Sequence, residues 1–249
     1  MPTSYTAKIP DAKGFIAYTP NEDAVWRDLI ARQWPNVQRL AARPYLEGLA
    51  LLDMPKTRVP QCPDISDRLR ELTGWRVEPV PALISFGRFF AMLADRCFPA
   101  ASFIRSRKDF DYIEEPDIFH EVFGHTPLLT DPRFAGFSQA IGAAGLKAAK
   151  EDYAWLIRLY WFTIEFGLTQ EAGKMKGLGS GLASSISELE WATSGRPELR
   201  RFDVIDILRT PYRIDIHQPV YFVLDRLDDL FDAAHRDLLA DVATARAMG

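Results

Sequence analysis

Two of the four histidines, His120 and His125, lie five residues apart, with Glu121 and Gly124 between them. Imidazole nitrogens are the commonest metal ligands in proteins. On a regular α-helix, with 3.6 residues per turn, side chains five apart point about 140° away from each other. The pair can therefore share one ion only if the helix is irregular. Either Gly124 takes a non-helical conformation, with Pro127 preventing the helix from resuming, or a π-type turn precedes Gly124.

The same segment invites comparison with the zinc-protease signature His-Glu-x-x-His, in which Glu121 would be the general base. The histidines of that signature are four residues apart, which places them about 40° from eclipsed on a regular helix. The five-residue spacing of His120 and His125 argues against that geometry. A zinc hydrolase that uses the same histidines with a third ligand stays an alternative.

A third candidate ligand, Glu165, lies within the apolar and aromatic run 160–167. A buried carboxylate needs a cation, a hydrogen-bond partner or a proton. An ion pair with Arg158 or Lys174 would meet that need, and so would a metal. Two histidines and one carboxylate form the facial triad that leaves coordination positions open on Fe(II), although zinc accepts the same ligands. The aromatic surroundings of Glu165 favour iron and an aromatic substrate over a peptide.

The elements that would position these residues are mostly helices, joined by a few short β-strands. Hydrophobic periodicity and proline positions predict the first helix to be capped by Asn21, and residues 75–80 to form a strand because polar and apolar side chains alternate there. A further β-like stretch is predicted around Pro219. The other predicted helices cover residues 45–54, 64 or 66 to 74, 87–96, 118–124, 134–149, 152–167, 182–192 and a single C-terminal helix at about 224–247.

Composition limits the class of protein. The chain has 249 residues, of which 47% are hydrophobic and 26% charged, and a net charge of −4, which does not suggest a nucleic-acid partner. Its two cysteines are too few for a disulfide framework. The most apolar stretch, residues 81–104, contains three charged residues, so no membrane span is expected, and the N-terminus shows no secretory signal. We therefore expect a single domain, residues 1–249, in the cytoplasm.

The two segments that carry the candidate ligands, 115–129 and 160–167, are together similar to the pterin-dependent aromatic amino acid hydroxylases. The similarity is greatest to the short bacterial phenylalanine 4-monooxygenases, and it extends from about residue 20 to residue 230. Shorter matching segments lie at residues 73–75, 103–105, 179–185 and 218–221. The resemblance implies one catalytic domain of the hydroxylase fold, mainly α-helical.

The resemblance also assigns roles to individual residues. It implies that Fe(II) is bound by His120, His125 and Glu165, that Arg105 binds the carboxylate of the substrate, and that Asp117 orients Arg105. It further places Pro116, Trp161, Ser184 and Ile214 around the substrate, Leu83, Ile84, Phe89 and Glu121 around the reduced pterin, and Ser184, Glu188 and Tyr160 behind the metal ligands.

The activity implied is conversion of L-phenylalanine to L-tyrosine with O₂ and a tetrahydropterin, either tetrahydrobiopterin or tetrahydromonapterin. The bulk of Trp161 disfavours an indole substrate, and apolar Ile214 offers nothing to a phenol, so phenylalanine is favoured over tryptophan and tyrosine. Because the matching part contains neither a regulatory domain nor a coiled-coil tail, we expect an unregulated monomer.

Overall fold

The computed structural model describes residues 5–81 and 84–249. It confirms the predicted fold class, since helices dominate and the strands are few and short. The α-helices are α1 (Pro20–Leu40), α2 (Arg43–Leu51), α3 (Cys62–Thr73), α4 (Phe86–Ala94), α5 (Pro132–Lys147), α6 (Tyr153–Tyr160), α7 (Ser180–Ser184), α8 (Ile186–Ala192), α9 (Val204–Arg209), α10 (Asp228–Ala234) and α11 (Leu238–Ala247).

Two small sheets support the helices. The strands are β1 (Arg76–Val80), β2 (Cys97–Ala101), β3 (Leu168–Glu171), β4 (Lys174–Gly177), β5 (Glu198–Arg201) and β6 (Val220–Leu224). Strand β1, at the predicted position, pairs in parallel with β2. The second sheet has the order β4-β3-β6-β5, in which β3 and β4 form an antiparallel hairpin and β6 runs parallel to both β3 and β5. The prediction of a β-like stretch near Pro219 holds only for β6, which begins at Val220.

The start of α1 corrects a prediction. Thr19, and not Asn21, caps the helix, because the Thr19 side chain accepts a hydrogen bond from the Glu22 backbone while the Glu22 carboxylate accepts one from the Thr19 backbone. This reciprocal pair is a capping box, which satisfies two otherwise unpaired N–H groups. Pro20 then occupies the first turn, where its missing N–H costs nothing.

The C-terminal segment also differs from the prediction. It contains two helices, α10 and α11, and not one continuous helix over 224–247. The break follows from Asp237, whose carboxylate accepts hydrogen bonds from the backbone N–H groups of Leu239 and Ala240 and so starts a new helix. The predicted helix 182–192 is likewise divided, because the Ser185 side chain caps α8.

Two π-helical segments are the features that position the site. The first covers Phe119–His125 and the second Trp161–Glu165, directly after α6. In π-type winding a hydrogen bond joins residues five apart, as between the Phe166 N–H and the Trp161 carbonyl (2.9 Å). Residues five apart are thereby brought to one side of the helix. Of the two irregularities predicted for the histidine segment, the structure shows the π-type one.

Gly124 was expected to take a non-helical conformation, but in the structure it allows close packing between two helices. It lies inside the first π-helix, which continues through His125. A Cβ at Gly124 would lie 2.9 Å from the Ser180 carbonyl oxygen. Glycine is therefore required because α7 packs directly against the π-helix.

The core is one cluster of buried apolar side chains drawn from helices and both sheets, with Trp26, Tyr45, Trp75, Phe123, Phe162 and Tyr221 among its largest members. Within residues 5–81 and 84–249, no helix has the length and apolar character needed to cross a bilayer.

Candidate metal centre and active-site cavity

Three ligand-type side chains from the two π-helices converge on one point. His120 Nε2 and His125 Nε2 lie 3.2 Å apart. Glu165 contributes Oε1 at 3.0 Å from His125 Nε2 and Oε2 at 3.7 Å from His120 Nε2. The structure thus brings together the three predicted ligands, although their sequence separation reaches 45 residues.

The spacing of these atoms fits an ion with adjacent coordination positions. Ligand atoms about 2.1 Å from a metal and at right angles to one another lie about 3.0 Å apart. The observed separations of 3.0, 3.2 and 3.7 Å are close to that value. Two imidazoles and one carboxylate on one side of an ion leave the opposite side open, which suits a non-haem Fe(II) oxygenase. The donor set therefore fits iron.

The hydrogen bond behind His120 leaves its Nε2 atom available as a ligand. Ser184 Oγ donates to the Ser180 carbonyl (3.0 Å) and lies 2.9 Å from His120 Nδ1. Since the single Ser184 proton is used, Ser184 Oγ must accept from His120 Nδ1–H, which leaves the Nε2 lone pair free. Burial lowers the pKa of His120 to about 4, which favours the same neutral form. His125 Nδ1 lies 3.2 Å from the Tyr160 hydroxyl.

Glu165 is held in its charged form. Burial alone would raise its pKa, but attraction to His125 and His120 when they carry a proton, together with hydrogen bonds from His125 and Ser180, lowers the pKa to about 2. With neutral histidines, a bound cation would provide the attraction. Ser180 Oγ lies 3.0 Å from Glu165 Oε2. The alternative ion pair with Arg158 is not formed, because Arg158 donates to the Leu208 carbonyl.

The passage from α6 into the second π-helix places Tyr160, the last residue of α6, and Glu165, five residues later, on the side that faces His125. The first π-helix does the same for His120 and His125. Each segment therefore aligns a pair that a regular α-helix would direct to different sides.

Glu121 is a second carboxyl group beside the centre. Its Oε2 lies 3.9 Å from His125 Nε2, and its ligand atom falls within 4.8 Å of those of both histidines. Burial, followed by the negative charges of Glu165 and Asp117, raises the pKa of Glu121 well above its ordinary value. The environment therefore favours a neutral Glu121 that can donate a proton in a hydrogen bond, and a charged Glu165.

Arg105 and Asp117 form a buried ion pair at the edge of the centre. Asp117 Oδ2 accepts from Arg105 Nε (2.8 Å) and Oδ1 from Nη2 (2.9 Å). The Asp117 carboxylate also accepts from the backbone N–H of Arg105 and of His120, and so it anchors the first π-helix. Burial raises the pKa of Asp117, but the charge and hydrogen bonds of Arg105 outweigh this effect and hold the pKa below its usual value.

The centre lies in a cavity of about 860 Å³. Arg105 and the three predicted ligands line it, together with most of the other residues predicted around substrate and pterin: Ile84, Phe89, Pro116, Glu121, Tyr160, Trp161, Ser184 and Ile214. Asp117 and Glu188 lie behind the wall, and the predicted residue Leu83 lies outside the described residues.

The aromatic wall is built from rings that contact one another. Phe89 contacts Tyr160 edge-to-face, with ring centroids 5.1 Å apart. Trp161 lies against Tyr212 (4.4 Å) and Phe166 (4.6 Å). Ile214 lies at the mouth and is 71% exposed.

Glu188 occupies a layer behind this wall. Its carboxylate accepts hydrogen bonds from the Gln218 backbone and the Tyr221 hydroxyl, and lies 3.8 Å from His217 Nε2.

Sequence reasoning did not identify two residues that contact the centre. Ser180, which hydrogen-bonds Glu165, stands between the two glycines of the matching segment 179–185, and its type carries no signal of that contact. Phe98 packs its ring 4.6 Å from that of His125. It belongs to the wholly buried strand β2, where any apolar side chain would satisfy the pattern.

Comparison with known proteins identifies the family. The biopterin-dependent aromatic amino acid hydroxylase family matches residues 3–239. A phenylalanine-4-hydroxylase from Vibrio cholerae is 49% identical over 248 residues, which cover 99% of this chain and 86% of that protein. The apo structure of a cold-active phenylalanine hydroxylase from Colwellia psychrerythraea superimposes with a TM-score of 0.96 at 46% identity, covering 98% of this chain and 95% of that one. The phenylalanine hydroxylase of Chromobacterium violaceum with bound Fe(III) gives a TM-score of 0.88 at 38% identity, covering 95% and 89%. This chain is a member of the biopterin-dependent aromatic amino acid hydroxylases.

Proposed function

We propose that this protein is a phenylalanine 4-monooxygenase that uses Fe(II), a tetrahydropterin and O₂ to convert L-phenylalanine to L-tyrosine. The observation that carries the proposal is the convergence of His120, His125 and Glu165 in one aromatic cavity. Ferrous iron and a reduced pterin, when bound, supply the activation of O₂ for ring hydroxylation. The contribution of this chain is to bind and orient the reactants and to exclude water.

The proposed ligands are His120, His125 and Glu165. Ser184 fixes the ring of His120 through Nδ1, and Ser180 fixes the carboxylate of Glu165. Such contacts tune both ligand orientation and metal affinity.

Arg105 is the proposed partner of the substrate carboxylate. Asp117 already occupies its Nε and one N–H of Nη2, so the substrate would meet the remaining edge, formed by Nη1 and Nη2. That edge is also a two-pronged donor that matches a carboxylate. Because Asp117 restrains the guanidinium on its other side, little side-chain entropy is lost on binding. Pro116 lines the cavity beside this pair.

The pterin is proposed to stack on Phe89, with Ile84 and Glu121 beside it. Phe89 is restrained by its edge-to-face contact with Tyr160, which leaves it a fixed platform. Leu83, the other predicted contact, lies outside the described residues. A neutral Glu121 could donate to a ring nitrogen or carbonyl of the pterin directly or through water.

The substrate ring is proposed to lie against Trp161, with Ile214 closing the mouth. The volume of the Trp161 indole disfavours a second indole. Apolar Ile214 provides no hydrogen-bond partner for a phenol.

The decisive assay supplies Fe(II), a tetrahydropterin, O₂ and each aromatic amino acid separately to the metal-free protein. L-Tyrosine formed from L-phenylalanine, with the highest kcat/KM of the three, supports the proposal. Zinc binding in place of iron, with no pterin-dependent oxygen uptake, would favour a hydrolase. A higher kcat/KM for tryptophan would refute the selectivity argument from Trp161.

We propose in addition that the whole chain acts as one monomeric catalytic domain in the cytoplasm. Size-exclusion chromatography with light scattering should give a mass near 28.2 kDa. A dimer mass would refute the monomer.

A further inference from the structure

Gln218 is a buried polar residue that has no role among the proposed metal, substrate and pterin contacts. It is 2% exposed and precedes Pro219 and strand β6. A buried glutamine side chain needs hydrogen-bond partners for its carbonyl oxygen and its two N–H groups. Those partners show which parts of the molecule it connects.

The side-chain amide of Gln218 joins two separate walls of the cavity. Its Oε1 accepts from Trp161 Nε1 (3.0 Å). Its Nε2 donates to the carbonyl of Arg213 (2.7 Å) and approaches that of Ile216 (3.4 Å). The indole N–H can only donate and the carbonyls can only accept, so the amide cannot be turned over without losing these bonds.

The backbone of Gln218 is fixed from the opposite side. Its N–H donates to Glu188 Oε1 (2.9 Å), and its carbonyl accepts from Trp191 Nε1 (2.9 Å). Both partners belong to α8. The amide therefore projects from a backbone that α8 holds at two points, and the bond to Glu188 remains if the one from Trp191 is removed.

Trp161 and the loop of residues 213–216 differ in how firmly contacts other than the Gln218 amide hold them. The indole of Trp161 stacks on the ring of Tyr212 and contacts the ring of Phe166 at a tilt, and ring contacts of this kind do not fix the position of Nε1. The bond to Gln218 restricts that position. Residues 213–216 are exposed, with Ile214 at 71%, and so this loop has little packing of its own.

We infer that Gln218 is a specificity-determining positioning residue, whose amide sets the separation of Trp161 from the loop that carries Ile214. It thereby sets the width of the end of the cavity that receives the substrate ring. The inference rests on the proposed function and deepens it: a narrow, fixed gap admits a phenyl ring and disfavours an indole. Gln218 touches neither substrate nor metal in this scheme and acts through Trp161 and the loop.

The test compares Gln218→Met, which has a similar length and no hydrogen-bonding amide, with Gln218→Glu, which keeps an acceptor for Trp161. The matched control is Trp191→Phe, which removes an indole donor to the backbone of the same residue and leaves its side chain intact. The kcat/KM values for L-phenylalanine and L-tryptophan, the tyrosine formed per pterin oxidised, and the Tm are measured for each.

A lost hydrogen bond of about 1 kcal/mol corresponds to about a fivefold change. We expect Gln218→Met to lower the phenylalanine-to-tryptophan ratio of kcat/KM about five- to tenfold and to reduce tyrosine formed per pterin. Gln218→Glu should fall between Gln218→Met and wild type. Trp191→Phe should lower the Tm but keep the ratio within twofold of wild type.

A readout independent of turnover is amide hydrogen exchange in residues 211–217 of the metal-free protein, which should be faster in Gln218→Met than in wild type. The inference is overturned if exchange there is unchanged, or if both Gln218 variants lower the Tm while their substrate ratio stays within twofold of wild type. Failure of the proposed function would be seen separately, as a wild-type protein that forms no tyrosine.

Discussion

Replacing Gly124 by alanine should disturb the metal centre through a single steric contact. The added Cβ would lie 2.9 Å from the Ser180 carbonyl oxygen and 3.4 Å from the carbonyl carbon. Because both are backbone atoms, relief requires α7 to move by about half an ångström to reach normal contact. Overpacking of this kind lowers the free energy of unfolding by about 1–3 kcal/mol. The higher helical preference of alanine over glycine offsets up to about 1 kcal/mol of that loss. We expect a net loss of about 1–2 kcal/mol in the free energy of unfolding.

The same movement should weaken iron binding, because α7 carries both Ser180 and Ser184. The bond from His120 Nδ1 to Ser184 Oγ is now 2.9 Å, and a half-ångström shift would lengthen it to about 3.4 Å, the limit of a useful hydrogen bond. Loss of such a contact behind a ligand typically costs 10- to 100-fold in metal affinity. We therefore expect a weaker Fe(II) Kd within about that range.

Urea unfolding and anaerobic Fe(II) titration measure the two effects. The matched control is Gly136→Ala, since Gly136 lies within α5 and a Cβ there would meet no atom within 4 Å. That variant should gain about 0.5–1 kcal/mol and bind iron as wild type does. A Gly124→Ala protein with wild-type stability and iron affinity would refute the proposed close packing of α7 on the π-helix.

Four further outcomes are expected. Arg105→Ala should raise the KM for L-phenylalanine about 10- to 100-fold with a smaller change in kcat. The reason is that a charge-assisted contact contributes about 1.5–3 kcal/mol in the ground and transition states alike. An unchanged KM in steady-state kinetics would contradict this role of Arg105. Ser184→Ala should weaken Fe(II) binding about 10- to 100-fold while the far-UV circular dichroism spectrum is kept, and an unchanged Kd would show that Ser184 does not position His120. Folding lowers the pKa of Asp117, so the charged carboxylate stabilises the folded protein above its ordinary pKa near 4, and this contribution is lost as the pH falls below it. The excess unfolding free energy of wild type over Asp117→Asn should therefore shrink below about pH 4. A difference that stays constant with pH would argue against the ion pair. Trp161→Phe should raise the kcat/KM for tryptophan relative to phenylalanine about tenfold, and a fall in that ratio would refute the steric argument.

The sequence predicted which polar residues the structure brings together better than it predicted the path of the backbone. Polar side chains in apolar surroundings need a partner, so His120, His125 and Glu165 could be singled out from residue type and spacing alone. The five-residue spacing even required an irregular helix. It could not decide between a left-handed Gly124 and a π-type turn, because either irregularity brings side chains five apart to one side. Nor could it show that α7, more than 50 residues away in the sequence, packs against Gly124.

Helix ends were predicted less well, for a local reason. Thr19, Ser185 and Asp237 each begin a helix through a side-chain hydrogen bond, but serine, threonine and aspartate are equally common in turns. Ser184 and Tyr160 were placed beside the ligands by the family resemblance, but three other supporting residues were missed for a different reason. Ser180, Phe98 and Gln218 act only through a ligand or a wall residue distant in sequence, so nothing in their own neighbourhood marks them.

The most direct test of the central claim asks which carboxylate holds the iron. Glu165 lies 3.0 Å from His125 Nε2 and its pKa is lowered, whereas Glu121 lies 3.9 Å from the same atom and burial raises its pKa. The iron content of each protein is measured after anaerobic loading with Fe(II) and desalting. Wild type and Glu121→Ala should each retain about one iron per chain, and Glu165→Ala should retain almost none while remaining folded. Retention of iron by Glu165→Ala, or its loss from Glu121→Ala alone, would contradict the proposed triad.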